Sequence, residues 1–131
     1  MEQHSIVESV LDNLPVAVFA KNASDNYRFV LWNKKQEEVT TLKASKALGK
    51  NDYDLFAEES ADYFRSVDEA VLKRDRLLRV PEEIIETLDG KEVHLRTVKI
   101  PIIEEKSGQK LIVGISEDIT EQVKSLEKLE H

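Results

Sequence analysis

The stretch LIVGISEDITEQVKSLEK, residues 111–128, joins an apolar, strand-like segment directly to a charged, helix-like one. Its first half is rich in Leu, Ile and Val, as is typical of a buried strand, and the polarity changes at Asp118 with no residues left for a loop. An aspartate ahead of a helix accepts hydrogen bonds from the free N–H groups of the first turn. Glu121 can reach back from the third position. The stretch therefore predicts a strand that passes directly into a capped helix leaving the domain.

The composition limits the class of protein. The chain has 131 residues, enough for one domain, and a formal net charge of -7. This charge argues against nucleic acid as a partner, because phosphate binding requires a basic face, and against direct contact with an anionic membrane. The absence of cysteine excludes disulfides, thiolate nucleophiles and cysteine-linked cofactors, and it is compatible with the reducing cytosol. No apolar run approaches the ~20 residues of a membrane span, so we expect a cytoplasmic location.

The order of predicted elements indicates an α+β domain. Residues 6–14 have helical spacing, and the segments VAVFAKN and YRFVLWN read as a β-hairpin. Asn33 has the position of a helix cap. A long helix is predicted over 58–74, followed by strands at about 80–88, 92–103 and 110–117. Strands on both sides of a helical block favour an antiparallel sheet with helices over one face. Residues 110–116 are apolar on both faces of this strand. We therefore expect the N-terminal helix or a partner chain to cover the face of the sheet that the helical block leaves open.

Three pieces of sequence resemble the PAS domain when taken together: LDNLPVAVFAKN (11–22), ALGKNDYDLF (47–56) and GISEDITEQV (114–123). The resemblance implies a five-stranded antiparallel sheet in the order 2-1-5-4-3, with helices over one face enclosing a small-molecule pocket. It divides the chain into an N-terminal flanking helix (1–14), a PAS core (15–118) and an outgoing signalling helix (119–128). Residues 129–131 resemble the start of a polyhistidine tag, so we expect a longer parent chain.

The sequence offers no catalytic or metal site. His4, His94 and His131 belong to no nucleophilic, phosphate-binding or paired-histidine motif, so we expect a non-enzymatic domain whose parent can carry a histidine kinase or diguanylate cyclase output domain. Light-sensing and photoactive-yellow-type relatives need a cysteine, and haem-binding relatives carry a histidine on the long helix. The resemblance therefore excludes a covalent flavin or chromophore and disfavours haem. The cofactor is unknown, with a non-covalent flavin or a small metabolite still open.

The resemblance places a ligand pocket between the sheet and the long helix. We expect it to be lined by aromatic and apolar residues with one cation: Phe19, Trp32, Tyr53, Phe56, Phe64, Val67, Leu95 and Arg96. The same residues would serve an ordinary filled core. Arg96 and Lys99 either orient an anionic ligand, or are solvated or paired with the acidic third strand. The segment 92–103 has no steady alternation, so its faces stay unassigned.

Two functions are compatible with these features. The first is a sensor that binds a small molecule, or senses neighbouring domains, and signals through Asp118, Ile119, Thr120 and Glu121; the alternative for Asp118 is a cap only. Ile119, Val123 and Leu126 have coiled-coil spacing, although two repeats do not establish one. The second function is a ligand-free homodimerisation domain. Its interface would use five apolar residues: Val7, Val10, Leu11, Leu14 and Ile112.

Overall fold

The computed structural model describes residues 2–130, with side chains from residue 6 onward. Met1 and His131 lie outside this range, so the interpretation of 129–131 as a tag is not tested. The helices of the described chain are α1 (Glu2–Asp12), α2 (Lys34–Thr40), α3 (Ala44–Ala47), α4 (Asp52–Leu55), α5 (Glu58–Arg74) and α6 (Thr120–Glu130), with a short 3-10 helix at Ala23–Asp25. The strands are β1 (Ala17–Asn22), β2 (Arg28–Trp32), β3 (Leu78–Glu86), β4 (Glu92–Ile103) and β5 (Lys110–Asp118).

The strands form one antiparallel sheet in the order β2-β1-β5-β4-β3. This order confirms the expected PAS-like topology. β5 is the central strand, and Gly114 pairs with Phe19 of β1 on one side and with Lys99 of β4 on the other. The side chains that β1, β4 and β5 present to the inner face are therefore close neighbours.

Local sequence signals explain the helix boundaries. Asn33 caps α2, because its Oδ1 accepts from the backbone N–H of Gln36 at 3.0 Å. Asn51 caps α4 and completes a capping box with Asp54, whose Oδ2 accepts from the Asn51 N–H at 3.0 Å. α5 begins with acidic residues and ends with Lys73 and Arg74, as the helix dipole favours. These local signals set where α2, α4 and α5 begin or end.

The inner face of the sheet is packed around aromatic rings. Phe19 and Phe29 make an edge-to-face contact at 5.8 Å, and Phe56 and Phe64 make another at 5.4 Å. The ring of Phe19 lies across Gly114, where a Cβ atom would overlap it. The glycine is thus required for the close approach of β1 and β5 on this face.

The outer face of the sheet carries a row of apolar residues that are only partly buried. It is formed by facing residues of two adjacent strands: Val98, Ile100 and Ile102 of β4, and Ile115, Val113 and Leu111 of β5. The prediction that Ile112 belongs to a dimer interface is wrong. Ile112 points to the inner face and is 0% exposed, because side chains alternate along a strand and its neighbours Leu111 and Val113 point outward.

α1 is bonded to the start of α2. The Leu11 carbonyl accepts from Asn33 Nδ2 at 2.8 Å, and Asp12 Oδ1 accepts from the Lys34 N–H at 2.9 Å. Val7 and Val10 remain 57% exposed. Within residues 2–130, none of the helices has the length and apolar character needed to cross a bilayer.

Candidate functional site: a buried ionic cluster at a small cavity

Five charged side chains meet on the inner face, contributed by β1, α4, α5, β3 and β4. They are Lys21, Asp52, Asp68, Glu83 and Lys99, and each is at least nine-tenths buried. Burying charge is costly unless the groups are paired. We call these five residues the ionic cluster.

The ion pairs of the cluster form a chain from α4 to β3. Lys21 Nζ contacts Asp52 Oδ2 at 2.6 Å and Asp68 Oδ2 at 2.7 Å. Lys99 Nζ lies 3.4 Å from Asp68 Oδ1 and 3.9 Å from Glu83 Oε2. Lys21 is therefore tightly paired, whereas Lys99 is held by longer contacts.

The environment shifts the protonation equilibria of the tight pair. Burial disfavours the charged form of Lys21, but the Asp52 and Asp68 carboxylates outweigh it and raise the pKa of Lys21 above its usual value. Burial also raises the pKa of the Asp52 carboxyl, although Lys21 favours its charged form. The site thus makes the Asp52 carboxyl easier to protonate than an ordinary aspartate.

A cavity of about 40 Å³ lies beside the cluster. Its wall includes cluster members together with apolar and polar residues of both layers: Phe19, Lys21, Phe29, Gln36, Thr40, Asp52, Phe56, Phe64, Glu83, Ile85, Leu95, Lys99 and Ser116. Typical ligand pockets occupy ~300–1,000 Å³. The cavity therefore fits a molecule of a few non-hydrogen atoms, and a flavin ring would require the surrounding side chains to move.

Glu83 is the unsatisfied member of the cavity wall. Its Oε1 accepts from Thr97 Oγ1 at 3.2 Å, but its Oε2 is buried without a hydrogen-bond partner among the described residues. Thr97 in turn shares a hydrogen bond of 2.9 Å with Ser116 Oγ. A buried carboxylate oxygen without a donor is destabilising.

Four of the eight expected pocket residues line the cavity: Phe19, Phe56, Phe64 and Leu95. Four do not, and these predictions are wrong. Trp32 is a core anchor whose indole N–H donates to the Leu42 carbonyl at 2.9 Å, and it faces an outer groove of about 510 Å³ beside α1. Tyr53 is 42% exposed and donates to Asp62 at 2.5 Å.

For the other two predicted residues, Val67 and Arg96, the side chain that points to the inner face belongs to a neighbour in the sequence. Val67 is only partly buried, and its neighbour Asp68 on α5 turns to the cluster instead. Arg96 is exposed on the outer face and pairs with Glu117 at 2.9 Å. Its prediction failed because β4 presents Leu95, Thr97 and Lys99 inward.

The junction between β5 and α6 is bonded to β4. Asp118 Oδ1 accepts from the Thr120 N–H at 2.9 Å and from the Thr120 hydroxyl at 2.6 Å. Thr120 Oγ1 accepts from the His94 N–H at 3.0 Å, and the Ile119 N–H donates to the His94 carbonyl at 2.8 Å. The prediction that Asp118 accepts from the first turn is therefore confirmed, while within the described chain Glu121 makes no hydrogen bond back to Asp118.

The His94 side chain lies close to acidic groups at this junction. Its Nδ1 is 2.5 Å from Glu82 Oε2, and its Nε2 is 3.5 Å from Glu92 Oε1. The hydrogen bond with Glu82 raises the pKa of His94 above its usual value. Among the side chains that the structure describes, no group of three or more His, Asp or Glu residues is arranged to hold a metal ion.

Comparison with known families fits this architecture. A family model of the PAS fold matches residues 11–124. The chain belongs to the PAS family. Its PAS domain is a sensory signalling module, similar to domains of cyclase and kinase proteins.

The relatives of this PAS domain are longer proteins. A diguanylate cyclase of Vibrio cholerae serotype O1 (strain ATCC 39541 / Classical Ogawa 395 / O395) is 30% identical over 129 residues, which cover 98% of this chain and 40% of that protein. The methanogenesis regulatory histidine kinase FilI of Methanothrix harundinacea (strain 6Ac) is 31% identical over 113 residues, covering 86% of this chain and 12% of that protein. This chain thus spans less than half the length of these relatives.

A solved structure of low sequence identity supports the fold of this chain, and only its fold. The crystal structure of a PAS domain from Colwellia psychrerythraea superposes on this chain with a TM-score of 0.73 at 18% identity. The match covers 91% of this chain and 98% of that chain.

Sequence reasoning missed most of the ionic cluster of this PAS domain. Lys21 and Asp52 lie inside two of the segments that resemble the family, but their charge alone did not indicate burial. Asp68 carries the clearest available signal. It stands between Phe64 and Val71 on the apolar stripe of α5, four residues after one and three before the other, where a charged residue requires a partner.

Proposed function

We propose that this PAS domain senses a small molecule in the cavity and relays its presence to an output domain through the β5–α6 junction. One observation carries the proposal. Leu95 lines the cavity, and the adjacent residue His94 is bonded through its backbone N–H and carbonyl to Thr120 and Ile119. A displacement of β4 by a ligand would therefore act directly on the start of α6.

The relatives support the second half of this proposal. They are a diguanylate cyclase and a histidine kinase, and this chain corresponds to a minor part of each. We propose an output domain of this kind in the same chain, C-terminal to α6. We place the module in the cytoplasm, and the lack of cysteine is compatible with that compartment.

The relay is tested with a ligand found by thermal-shift screening of small metabolites. In NMR titrations, a true ligand should shift the amide signals of Leu95 and Ser116 at the cavity, and those of Ile119 and Val123 at the helix start. Thr120→Val removes the hydroxyl bonded to His94 but leaves the bond from the Ile119 N–H to the His94 carbonyl. The cavity shifts should therefore persist, and the helix shifts should become smaller. Thr120→Ser keeps the hydroxyl and is the matched control.

Each failure has a distinct meaning. If a ligand shifts the cavity signals of the wild-type domain without affecting the helix start, the relay is wrong. If no metabolite affects the cavity, the sensor reading is wrong.

A second candidate function is homodimerisation, favoured by the apolar row on the outer face and the exposed residues of α1. Val10 is 57% exposed and Val113 is only partly buried. If these surfaces meet in a dimer, Val10→Asp or Val113→Asp should give a monomer in analytical ultracentrifugation. Leu88→Asp, at a hairpin tip and 71% exposed, removes an apolar side chain elsewhere and should leave the dimer intact. A monomeric wild-type domain at high concentration contradicts this candidate.

A further inference from the structure

We propose that the cavity selects a small uncharged amide, whose N–H donates to Glu83 and whose carbonyl accepts from Lys99, an inference that rests on the proposed ligand-sensing function. Glu83 supplies the acceptor. It lines the cavity and is 7% exposed, and its Oε2 is buried without a hydrogen-bond partner within the described chain. A ligand that brings an N–H group to this oxygen would satisfy it.

Lys99 supplies the donor. An ammonium group has three N–H donors, yet the single hydrogen bond that Lys99 makes among the described residues is a long one, 3.4 Å to Asp68 Oδ1. Lys21, by comparison, has two contacts of 2.6 and 2.7 Å. Lys99 is only 1% exposed, so solvent does not meet its remaining hydrogen-bonding capacity.

The spacing of these two groups favours a ligand with two adjacent functions. Lys99 Nζ and Glu83 Oε2 are 3.9 Å apart, so one small molecule can contact both at the usual N–H···O distance of ~2.9 Å. The acceptor and the donor of that molecule must be neighbours. The face of a primary amide, with its N–H on the same side as its carbonyl, has this arrangement.

The charges of the ionic cluster disfavour both a small anion and a small cation in the cavity. With all groups ionised, the cluster holds three carboxylates (Asp52, Asp68, Glu83) and two ammonium groups (Lys21, Lys99), a net charge of -1. This excess disfavours an anion in so buried a site. A cation at Glu83 Oε2 would lie beside the Lys99 ammonium and be repelled. An uncharged dipolar molecule meets neither obstacle.

The remaining walls and the volume set the size of the molecule. Phe64, Ile85 and Leu95 offer apolar contacts for a methyl group. One water needs ~10–15 Å³ of such space, so the cavity of about 40 Å³ holds about three groups of that size. Acetamide, with two polar atoms and one methyl group, is the appropriate probe.

The test compares four probes on the unmodified protein by NMR titration of the Leu95, Thr97 and Ser116 amide signals. Acetone matches acetamide in size but lacks the N–H group, while acetate and methylammonium carry the two charges. We expect acetamide to saturate these shifts at a concentration at least about tenfold below acetone, and the two ions to bind more weakly still.

Variants then assign the two contacts. Lys99→Met should reduce the preference for acetamide over acetone to less than about twofold, as should Glu83→Leu. Arg96→Met removes a cation from the outer face of the same strand, and Glu86→Gln neutralises an exposed carboxylate of β3; both should keep the full preference. The four-probe comparison needs no variant, so it decides the question even where a cluster variant does not fold.

The outcomes separate this inference from the proposed function. If acetone binds as tightly as acetamide, or either ion binds more tightly, the cavity is a ligand site but not an amide site. If none of the probes shifts the three signals, the amide inference fails, and the metabolite screen decides separately whether the proposed function fails as well.

Discussion

Replacing Lys21 by methionine should remove a large part of the stability of the domain. Methionine has a similar length and no charge, so the change removes the ammonium group without opening a large void. Lys21 is 2% exposed and contacts two carboxylates. The variant thus leaves Asp52 buried without its partner, and Asp68 with only the longer contact to Lys99.

The expected loss follows from the burial of these groups. Removing one member of a buried ion pair costs about 3–5 kcal/mol, because the other charge stays buried and unpaired. A domain of this size has a total free energy of unfolding of about 5–15 kcal/mol. Lys21→Met should therefore lower the midpoint of urea denaturation markedly, and the variant can be partly unfolded at room temperature.

The assay is urea unfolding followed by the fluorescence of Trp32. It is the single tryptophan of the chain and is 6% exposed, so its emission reports the loss of the core. The matched control is Lys91→Met. Lys91 is 77% exposed with a contact of 4.0 Å to Asp89, and its replacement should change the free energy of unfolding by less than about 0.5 kcal/mol.

A double variant tests whether the loss arises from the orphaned charge. Lys21→Met with Asp52→Asn removes both partners, so we expect it to be more stable than Lys21→Met alone by about 1–3 kcal/mol. The reasoning is refuted if Lys21→Met costs less than about 1 kcal/mol. It is also refuted if the double variant is no more stable than the single one.

Three further changes give separate tests. Gly114→Ala should displace the ring of Phe19 and cost about 1–3 kcal/mol by overpacking, measured by urea unfolding; unchanged stability contradicts the close contact. The raised pKa of Asp52 means that the folded state binds more protons than the unfolded one, so this group adds stability below about pH 3.8 that is lost as the pH rises through its folded pKa. Asp52→Asn should therefore flatten the decline of wild-type stability above that pH in thermal unfolding, and parallel curves for the two proteins contradict the shift. Asp118→Ala should cost about 0.5–2 kcal/mol as a lost cap, with faster hydrogen exchange at Val123; an unchanged exchange rate there argues against the cap.

The fold was predictable because its signals are local. The long helix was expected over 58–74 and lies at Glu58–Arg74, and the fourth strand was expected over 92–103 and lies at Glu92–Ile103. Asn33 acts as the cap that its position predicts. Capping residues and turn glycines act within a few positions of the chain, so the sequence alone specifies them.

The site was less predictable because it is polar where a core is normally apolar. β4 lacks clean hydropathy alternation since its inward residues include Thr97 and Lys99, both at most 1% exposed. Sequence reasoning left its faces unassigned and chose Arg96, whose side chain points outward. The sequence left an anionic ligand, solvent or the acidic third strand open as the environment of Lys99. The structure places Lys99 Nζ 3.9 Å from Oε2 of Glu83 on that strand.

These departures from an apolar core have a common physical meaning. An apolar replacement of a buried ionic network is often neutral or stabilising, so stability alone does not explain the network. In this domain the chain of charges ends at a carboxylate oxygen without a hydrogen-bond donor, at the wall of a cavity. Leu95 of β4 also lines this cavity, and the preceding residue, His94, is bonded to Thr120 at the start of α6. A group that satisfies Glu83 would alter the balance of forces on Lys99, and through β4 on the helix that leaves the domain. Under the proposed function, the unsatisfied oxygen would give a bound molecule a contact that differs between two states of the sheet, which is the thermodynamic requirement for a sensor.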